Sequence, residues 1–139
     1  MYMKNRKTIN LGHIIIFVFF GIITFFIIRD FVIKSNIDKS TKYVVTKFIS
    51  KERLPKTTNF WFAYFINGKK ITTANSGVGY SISNTEKETK AIDDLVINSF
   101  YLAKYTSENP NIIAVNPLKQ ITDTTLILKS GFSKEDIER

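Results

Sequence analysis

The chain of 139 residues contains no cysteine, and its single histidine, His13, lies within an apolar run. Without cysteine, disulfides, thiol nucleophiles, zinc-thiolate sites and a lipid-modified cysteine anchor are all excluded. Without a second histidine, a His-based catalytic dyad or triad is not available to the polar part of the chain. The acidic residues follow no metal-loop spacing, and no motif favours a paired-carboxylate hydrolase, although composition alone does not exclude one. We therefore predict a protein that is not an enzyme and has no cofactor or metal site.

The longest apolar run extends from Leu11 to Ile28 and contains eighteen residues without a formal charge. As a helix, this run would be about 27 Å long, which is close to a hydrocarbon core of about 30 Å. The apolar pattern resumes after two charged residues, so we predict a transmembrane helix over 11–33 that breaks near Ser35. A cleaved secretory signal is the competing interpretation, but the segment that follows lacks the small-residue cleavage site that a signal requires.

Positive charge is present on both sides of this run. Residues 1–39 carry six basic and two acidic residues, and residues 40–139 carry fourteen and ten, so each part has a net charge of +4. Short leaders influence topology more than long domains do, so the basic leader 1–10 is predicted to be cytoplasmic and the domain extracytoplasmic. The near parity of flanking Lys and Arg leaves the reverse orientation open. Because the composition is typical of an AT-rich bacterial genome, we expect a single-pass protein of the bacterial inner membrane.

Behind the predicted span, the sequence indicates a stalk over 34–41, a small β-rich domain over 42–129 and a polar tail over 130–139. The strongest local signal is Asn67-Gly68, which favours a type I′ hairpin because both turn positions need φ > 0. A two-residue loop would pair Ile66 with Lys69, Tyr64 with Ile71 and Phe62 with Thr73. One face of the hairpin would then carry Phe60, Phe62, Tyr64, Ile66 and Ile71, and the other Trp61, Ala63 and Phe65.

The remaining elements are predicted from side-chain pattern and capping signals. Further β-branched and aromatic segments predict strands over 43–49, 100–106, 112–115 and 121–128. Thr85 and Glu88 have capping-box spacing, which predicts a helix over 86–97, and a frayed helical turn is expected to begin at Ser133. The loop over 76–84 holds two glycines but matches no phosphate-binding pattern. The expected fold is α+β: an antiparallel barrel or sandwich of about five strands with one helix.

The aromatic strand over 59–66 has two possible roles. It is apolar on both faces, which favours a central strand buried in the core, where each large side chain contributes roughly 1.5–3 kcal/mol. Alternatively, part of it forms a contact surface, since aromatic residues dominate interface hot spots. The residues that we single out for such a surface are Tyr43, Trp61, Phe65 and Lys70.

The segments 62–71 and 101–115 resemble a group of small uncharacterised bacterial membrane proteins with one or two spans and a domain of unknown function. The shared pattern is an aromatic strand, N-G-K and then Y-x-V-x-Y-x-P-x-N-P. The resemblance implies a small β-barrel or β-sandwich beside the membrane, without assigned catalysis. This sequence departs from the pattern at Ser107, which replaces the first proline of the turn, and at the helix predicted over 86–97, where the family has a short Gly-Asp turn.

These observations lead us to expect a membrane-anchored, non-catalytic binding module, an accessory subunit of a bacterial envelope or membrane protein complex. Its expected partners are the lipid bilayer and another membrane or envelope protein, with no nucleic acid and no small-molecule substrate. One alternative is an immunity-type protein that neutralises a toxin acting at the envelope. A second is a nucleic-acid binder built on an OB-like barrel, against which the mild basicity of the domain argues.

Overall fold

The computed structural model describes residues 10–139. The leader cations Lys4, Arg6 and Lys7, on which the predicted orientation depends, lie outside the described residues. The chain divides into two compact units, one ending at Ser35 and the other comprising Asn36–Arg139. The elements are, in order, α1 (Leu11–Lys39), β1 (Tyr43–Arg53), β2 (Thr58–Ile66), β3 (Lys69–Thr73), α2 (Glu86–Asp93), β4 (Phe100–Tyr105), β5 (Ile113–Ile121), α3 (Thr124–Lys129) and α4 (Lys134–Glu138).

Helix α1 has 29 residues, and its length and apolar composition are sufficient to cross a membrane. No residue of its most apolar stretch is buried. The helix passes the predicted break near Ser35 and continues to Lys39, so that prediction was wrong. The extra turn is held in place by Ile37, whose side chain is 2% exposed. Burial of one apolar side chain thus extends the helix through a segment whose polar composition had suggested a stalk.

The domain is built on one antiparallel sheet of five strands in the order β3-β2-β1-β4-β5, which confirms the α+β layout. Strand β1 lies in the centre, and its register against β2 shifts between Phe48 and Ser50. Beyond β3, the chain stays close to β5. The backbone N–H groups of Ile113 and Val115 donate to the carbonyls of Asn75 and Ser76, each at 2.9 Å.

The β2–β3 hairpin has the predicted register, with Ile66 opposite Lys69, Tyr64 opposite Ile71 and Phe62 opposite Thr73. Asn67 and Gly68 have φ values of 52° and 76°. These are the positive dihedrals that a two-residue primed turn requires.

Each face of the sheet has its own core. The larger cluster includes Phe48, Phe60, Phe62 and Tyr64, together with Ile92 from α2. The smaller cluster lies on the opposite face and contains Val45, Phe100, Ile127 and Phe132. Because the last two of these come from the C-terminal segment (residues 124–139), that segment packs on the sheet and covers the centre of the second face.

Three short helices occur in the domain, where the sequence predicted one helix and one frayed helical turn. Helix α2 begins with the predicted capping box, in which Glu88 N–H donates to Thr85 Oγ1 and Thr85 N–H donates to Glu88 Oε2, but it ends at Asp93. The strand predicted over 121–128 is wrong beyond Ile121, because Asp123 caps α3 there: its Oδ1 accepts the N–H groups of Thr125 and Leu126. The helical turn predicted at Ser133 is α4, with Ser133 as its N-cap.

Candidate interaction surface

The four residues that the sequence singled out lie on one face of the sheet. Phe65 is paired directly with Lys70 across the hairpin, and residues that pair across an antiparallel sheet share a face. Lys47 is paired with Ala63, so the alternation along β1 and β2 places Tyr43 on the same face as Trp61 and Phe65. We call this side of the sheet, which carries the smaller core cluster, the outer face.

The centre of the outer face is covered by the C-terminal segment. Phe65 packs edge-on against Phe132 with ring centroids 5.2 Å apart, and Phe132 packs in the same way against Phe100 at 4.9 Å. Gly131 has a φ of +105°, and a Cβ there would lie 2.8 Å from Phe65 Cγ. Phe65 is therefore part of a packed cluster, with only part of its ring exposed.

Lys47 lies beneath the same segment, and it is 5% exposed. Its Nζ donates to the carbonyl of Asp136 at 2.7 Å and lies 4.0 Å from the Asp136 carboxylate. Burial lowers the pKa of Lys47, the Asp136 carboxylate opposes this, and Arg139 and Lys70 reinforce it. Hydrogen bonding to the Ser133 backbone is the main reason why the pKa of Asp136 is lowered. The ammonium thus holds α4 on the sheet at the cost of its own hydration.

Trp61 stands on the outer face away from this cover. It is paired with Ser50 of β1 and is partly exposed. Its indole Nε1 donates to Glu52 Oε2 at 3.1 Å, and the same carboxylate oxygen accepts from the Asn59 amide at 3.3 Å. Two side chains thereby fix a carboxylate at the edge of the indole ring, so the exposed surface combines an aromatic plane with a negative charge.

Tyr43 lies in a different part of the outer face, where the exposed fraction of its side chain is 53%. It lines a groove of about 470 Å³ together with Phe65, Leu102, Tyr105, Leu126 and Lys129. Lys104 Nζ lies 5.9 Å from the centre of the Tyr43 ring. Tyr43 and Phe65 therefore meet in one groove, whereas Trp61 belongs to a separate surface of the same face.

Sequence reasoning missed the residues of the C-terminal segment that complete this face. Ile127 is 2% exposed and Phe132 is 4% exposed, although Phe132 lies in a stretch with polar composition. The available signal was the single aromatic residue after Gly131, because a lone apolar side chain in a polar segment is a candidate for packing. In the described part of the chain, no group of three His, Cys, Asp or Glu residues is placed to hold a metal ion.

Comparison of this chain with protein-family models, with curated proteins and with solved structures finds no match.

Proposed function

We propose that this chain is a membrane-anchored, non-catalytic binding module and acts as an accessory subunit of a bacterial membrane or envelope complex. The observation that carries the proposal is the surface around Trp61 on the outer face. There the indole stands partly exposed beside Glu52, and Lys70 and Thr72 of β3 are exposed on the same face. Tryptophan is among the residue types that are enriched at protein interaction hot spots. The membrane attachment rests on α1, which is long and apolar enough to span.

The fold that we propose for the domain is a partly closed barrel of the OB type. Its support is the central position of β1 between β2 and β4, the helix α2 between β3 and β4, and the two backbone hydrogen bonds from β5 to Asn75 and Ser76. OB-type barrels bind ligands on the outer side of their second and third strands. Trp61 and Lys70 lie on these strands, which is further support for a binding role. The fold itself does not select the ligand.

The partner that we propose is a protein, and the carboxylate beside Trp61 is the reason. Nucleic-acid binding by such barrels requires aromatic platforms within a positively charged groove. Here Glu52 Oε2 lies 3.1 Å from the indole nitrogen, so a phosphate near the ring would meet a negative charge. Trp61 is the only tryptophan in the chain, so its fluorescence reports ligand contact directly. We expect single-stranded oligonucleotides to leave that fluorescence unchanged at low salt.

Site-specific photocrosslinking in the native membrane tests the proposal. A photoreactive residue at position 61 is expected to give one discrete protein adduct, and the adduct partner should co-purify stoichiometrically after detergent extraction. The matched control is position 82, because Ile82 is fully exposed on the loop between β3 and α2. A protein that runs as a monomer and gives no adduct at position 61 would contradict the proposal.

The proposed location is the bacterial inner membrane, with the leader cytoplasmic and the domain extracytoplasmic. The basic leader and the length of the domain behind the span support this orientation. A reporter enzyme that is active only outside the cytoplasm is expected to work when it is fused after Arg139. Activity of a cytoplasm-dependent reporter at the same position would reverse the assignment.

A further inference from the structure

The last turn of α1 is fastened to the end of β4. Ser40 Oγ donates to the carbonyl of Tyr105 at 2.6 Å, and Lys104 Nζ donates to the carbonyl of Asp38 at 2.9 Å. Strand β1 begins four residues after Lys39. Residues 36–43 therefore lie at one end of the sheet, together with the β2–β3 turn (64–70), the end of β4 with its turn (102–112) and the end of α3 (126–131). We call these four segments the basal end.

The positive charge of the domain is concentrated at the basal end. The four segments contain Lys39, Lys42, Lys69, Lys70, Lys104 and Lys129, against two acidic residues, Asp38 and Glu108. In residues 40–139, the part outside these segments carries nine basic and nine acidic residues. The whole net charge of +4 in that range thus comes from the basal end, and the rest of the domain is neutral.

The basal end also exposes apolar surface beside these cations. The groove that Tyr43 and Leu126 line opens there, and their side chains are 53% and 42% exposed. Lys129 lines the same groove, and Lys104 lies near the Tyr43 ring. Aromatic and aliphatic side chains surrounded by lysines are the composition found where proteins contact the headgroup layer of a membrane.

Chain length brings the basal end to the membrane if α1 spans it with residues 11–33. The six residues that follow rise about 9 Å along the helix, while the headgroup layer on each side is about 5–7 Å thick. At most about 14 Å of chain separates Lys39 from Tyr43. Residues 39–43 of the basal end are therefore held close to the outer edge of the headgroups by chain length alone.

We propose that the basal end is a docking surface for anionic phospholipid headgroups, with Tyr43 and Leu126 inserted among them and the surrounding lysines paired with lipid phosphates. The inference rests on the membrane anchor of the proposed function. It adds that the domain lies on the bilayer as well as being tethered to it. Trp61 and Glu52, at the centre of the proposed protein partner surface, are not part of this contact.

Spin labelling of the full chain in vesicles tests the inference, and the absence of native cysteine allows single labels. Leu126→Cys reports the basal end, Ile82→Cys a remote exposed loop and Phe19→Cys the anchor. In vesicles that contain phosphatidylglycerol, we expect the label at 126 to collide several-fold less often with an aqueous nickel reagent than the label at 82. The label at 19 should be accessible only to oxygen.

Charge variants test the lipid pairing. The triple variant Lys42→Gln, Lys69→Gln and Lys129→Gln should restore aqueous access at position 126, because each lysine lost lowers the docked-to-free ratio roughly fivefold. The matched control carries Lys87→Gln, Lys90→Gln and Lys134→Gln, which remove the same charge outside the basal end, and it should remain protected. Equal aqueous access at 126 and 82, with 19 still buried, would overturn the inference and leave the anchor intact. Aqueous access at 19 would overturn both.

Discussion

Neighbouring side chains along β2 meet different environments. Phe62 is 0% exposed and packs on Phe48 with ring centroids 5.2 Å apart, whereas Trp61 is partly exposed on the outer face. Ala63, the next residue on the outer face, is 1% exposed, and it is paired with Lys47, whose Nζ donates to the Asp136 carbonyl of α4. The strand is therefore buried on both sides at its centre and open at Trp61.

This difference predicts unequal effects of truncation. Phe62→Ala should lower the free energy of unfolding by about 3–5 kcal/mol, because it removes a ring from a closed core. Trp61→Ala should change it far less, while weakening the binding of the partner. Chemical denaturation followed by circular dichroism measures both variants without relying on tryptophan fluorescence. A comparable loss of stability from the two substitutions would mean that Trp61 belongs to the core, and the binding surface would have to lie elsewhere.

Lys47 predicts a pH dependence of stability. Its pKa in the folded protein is below the ordinary value of 10.5, so the unfolded chain binds more protons in the window just below that pH. Stability from this group therefore rises as the pH increases through that window. Burial raises the pKa of Tyr64 to about 12, which has the opposite sign and lowers stability above about pH 10. The effect of Lys47 on stability is therefore measured below about pH 10, where Tyr64 does not contribute.

In Lys47→Met, the increase of stability with pH should disappear. Stability at neutral pH should be unchanged or higher, since an apolar chain of similar length replaces a buried charge. Denaturation midpoints measured between about pH 8 and pH 10 check this. Lys90→Met, at an exposed site on α2, is the control and should keep the wild-type slope. If Lys47→Met keeps that slope too, another group is responsible.

At the scale of elements, local chemistry decided which predictions succeeded. The Asn67-Gly68 hairpin and the capping box of Thr85 and Glu88 were predictable because each is specified by residues within a few positions of one another. The helix at α3 was not predicted, because its β-branched residues resemble a strand and only Asp123 signals the cap. Strand alternation placed the four candidate residues on one face. It could not show that a distant segment covers part of that face.

The segment that covers the outer face depends on the backbone at Gly131. Its φ of +105° is rarely adopted by other residues, and a Cβ there would lie 2.8 Å from the Phe65 ring. Gly131→Ala should therefore lower stability by about 1–3 kcal/mol and loosen α4. Gly79→Ala is the matched control, because its φ is not positive and no atom lies within 4 Å of the added Cβ. Hydrogen exchange at α4 amides measures the loosening, and exchange as slow as in the parent chain would show that Phe65 moves aside.

At the scale of the whole molecule, the two compact units meet different requirements. The domain buries an apolar cluster on each face of its sheet, whereas the apolar window of α1 has no buried residue. Each Phe or Ile that is left in water forfeits roughly 1.5–3 kcal/mol relative to an apolar environment. A helix that is apolar on all sides is typical of a membrane span or of the core of a large protein, and the anchor that we propose is the first of these.

Two charges in the middle of α1 test whether this helix holds the chain in the membrane. Phe19→Arg with Ile22→Arg places both near the bilayer centre, where each costs roughly 2.5–3.5 kcal/mol on insertion scales. We expect the double variant to leave the carbonate-washed membrane pellet. The matched control, Leu54→Arg with Ile82→Arg, adds the same charge at exposed positions of the domain and should stay in the pellet. Carbonate disrupts peripheral contacts, so the lipid docking inferred for the basal end would not retain the double variant. If that variant remains in the pellet, a segment other than α1 is embedded in the bilayer, and the anchor has been assigned to the wrong part of the chain.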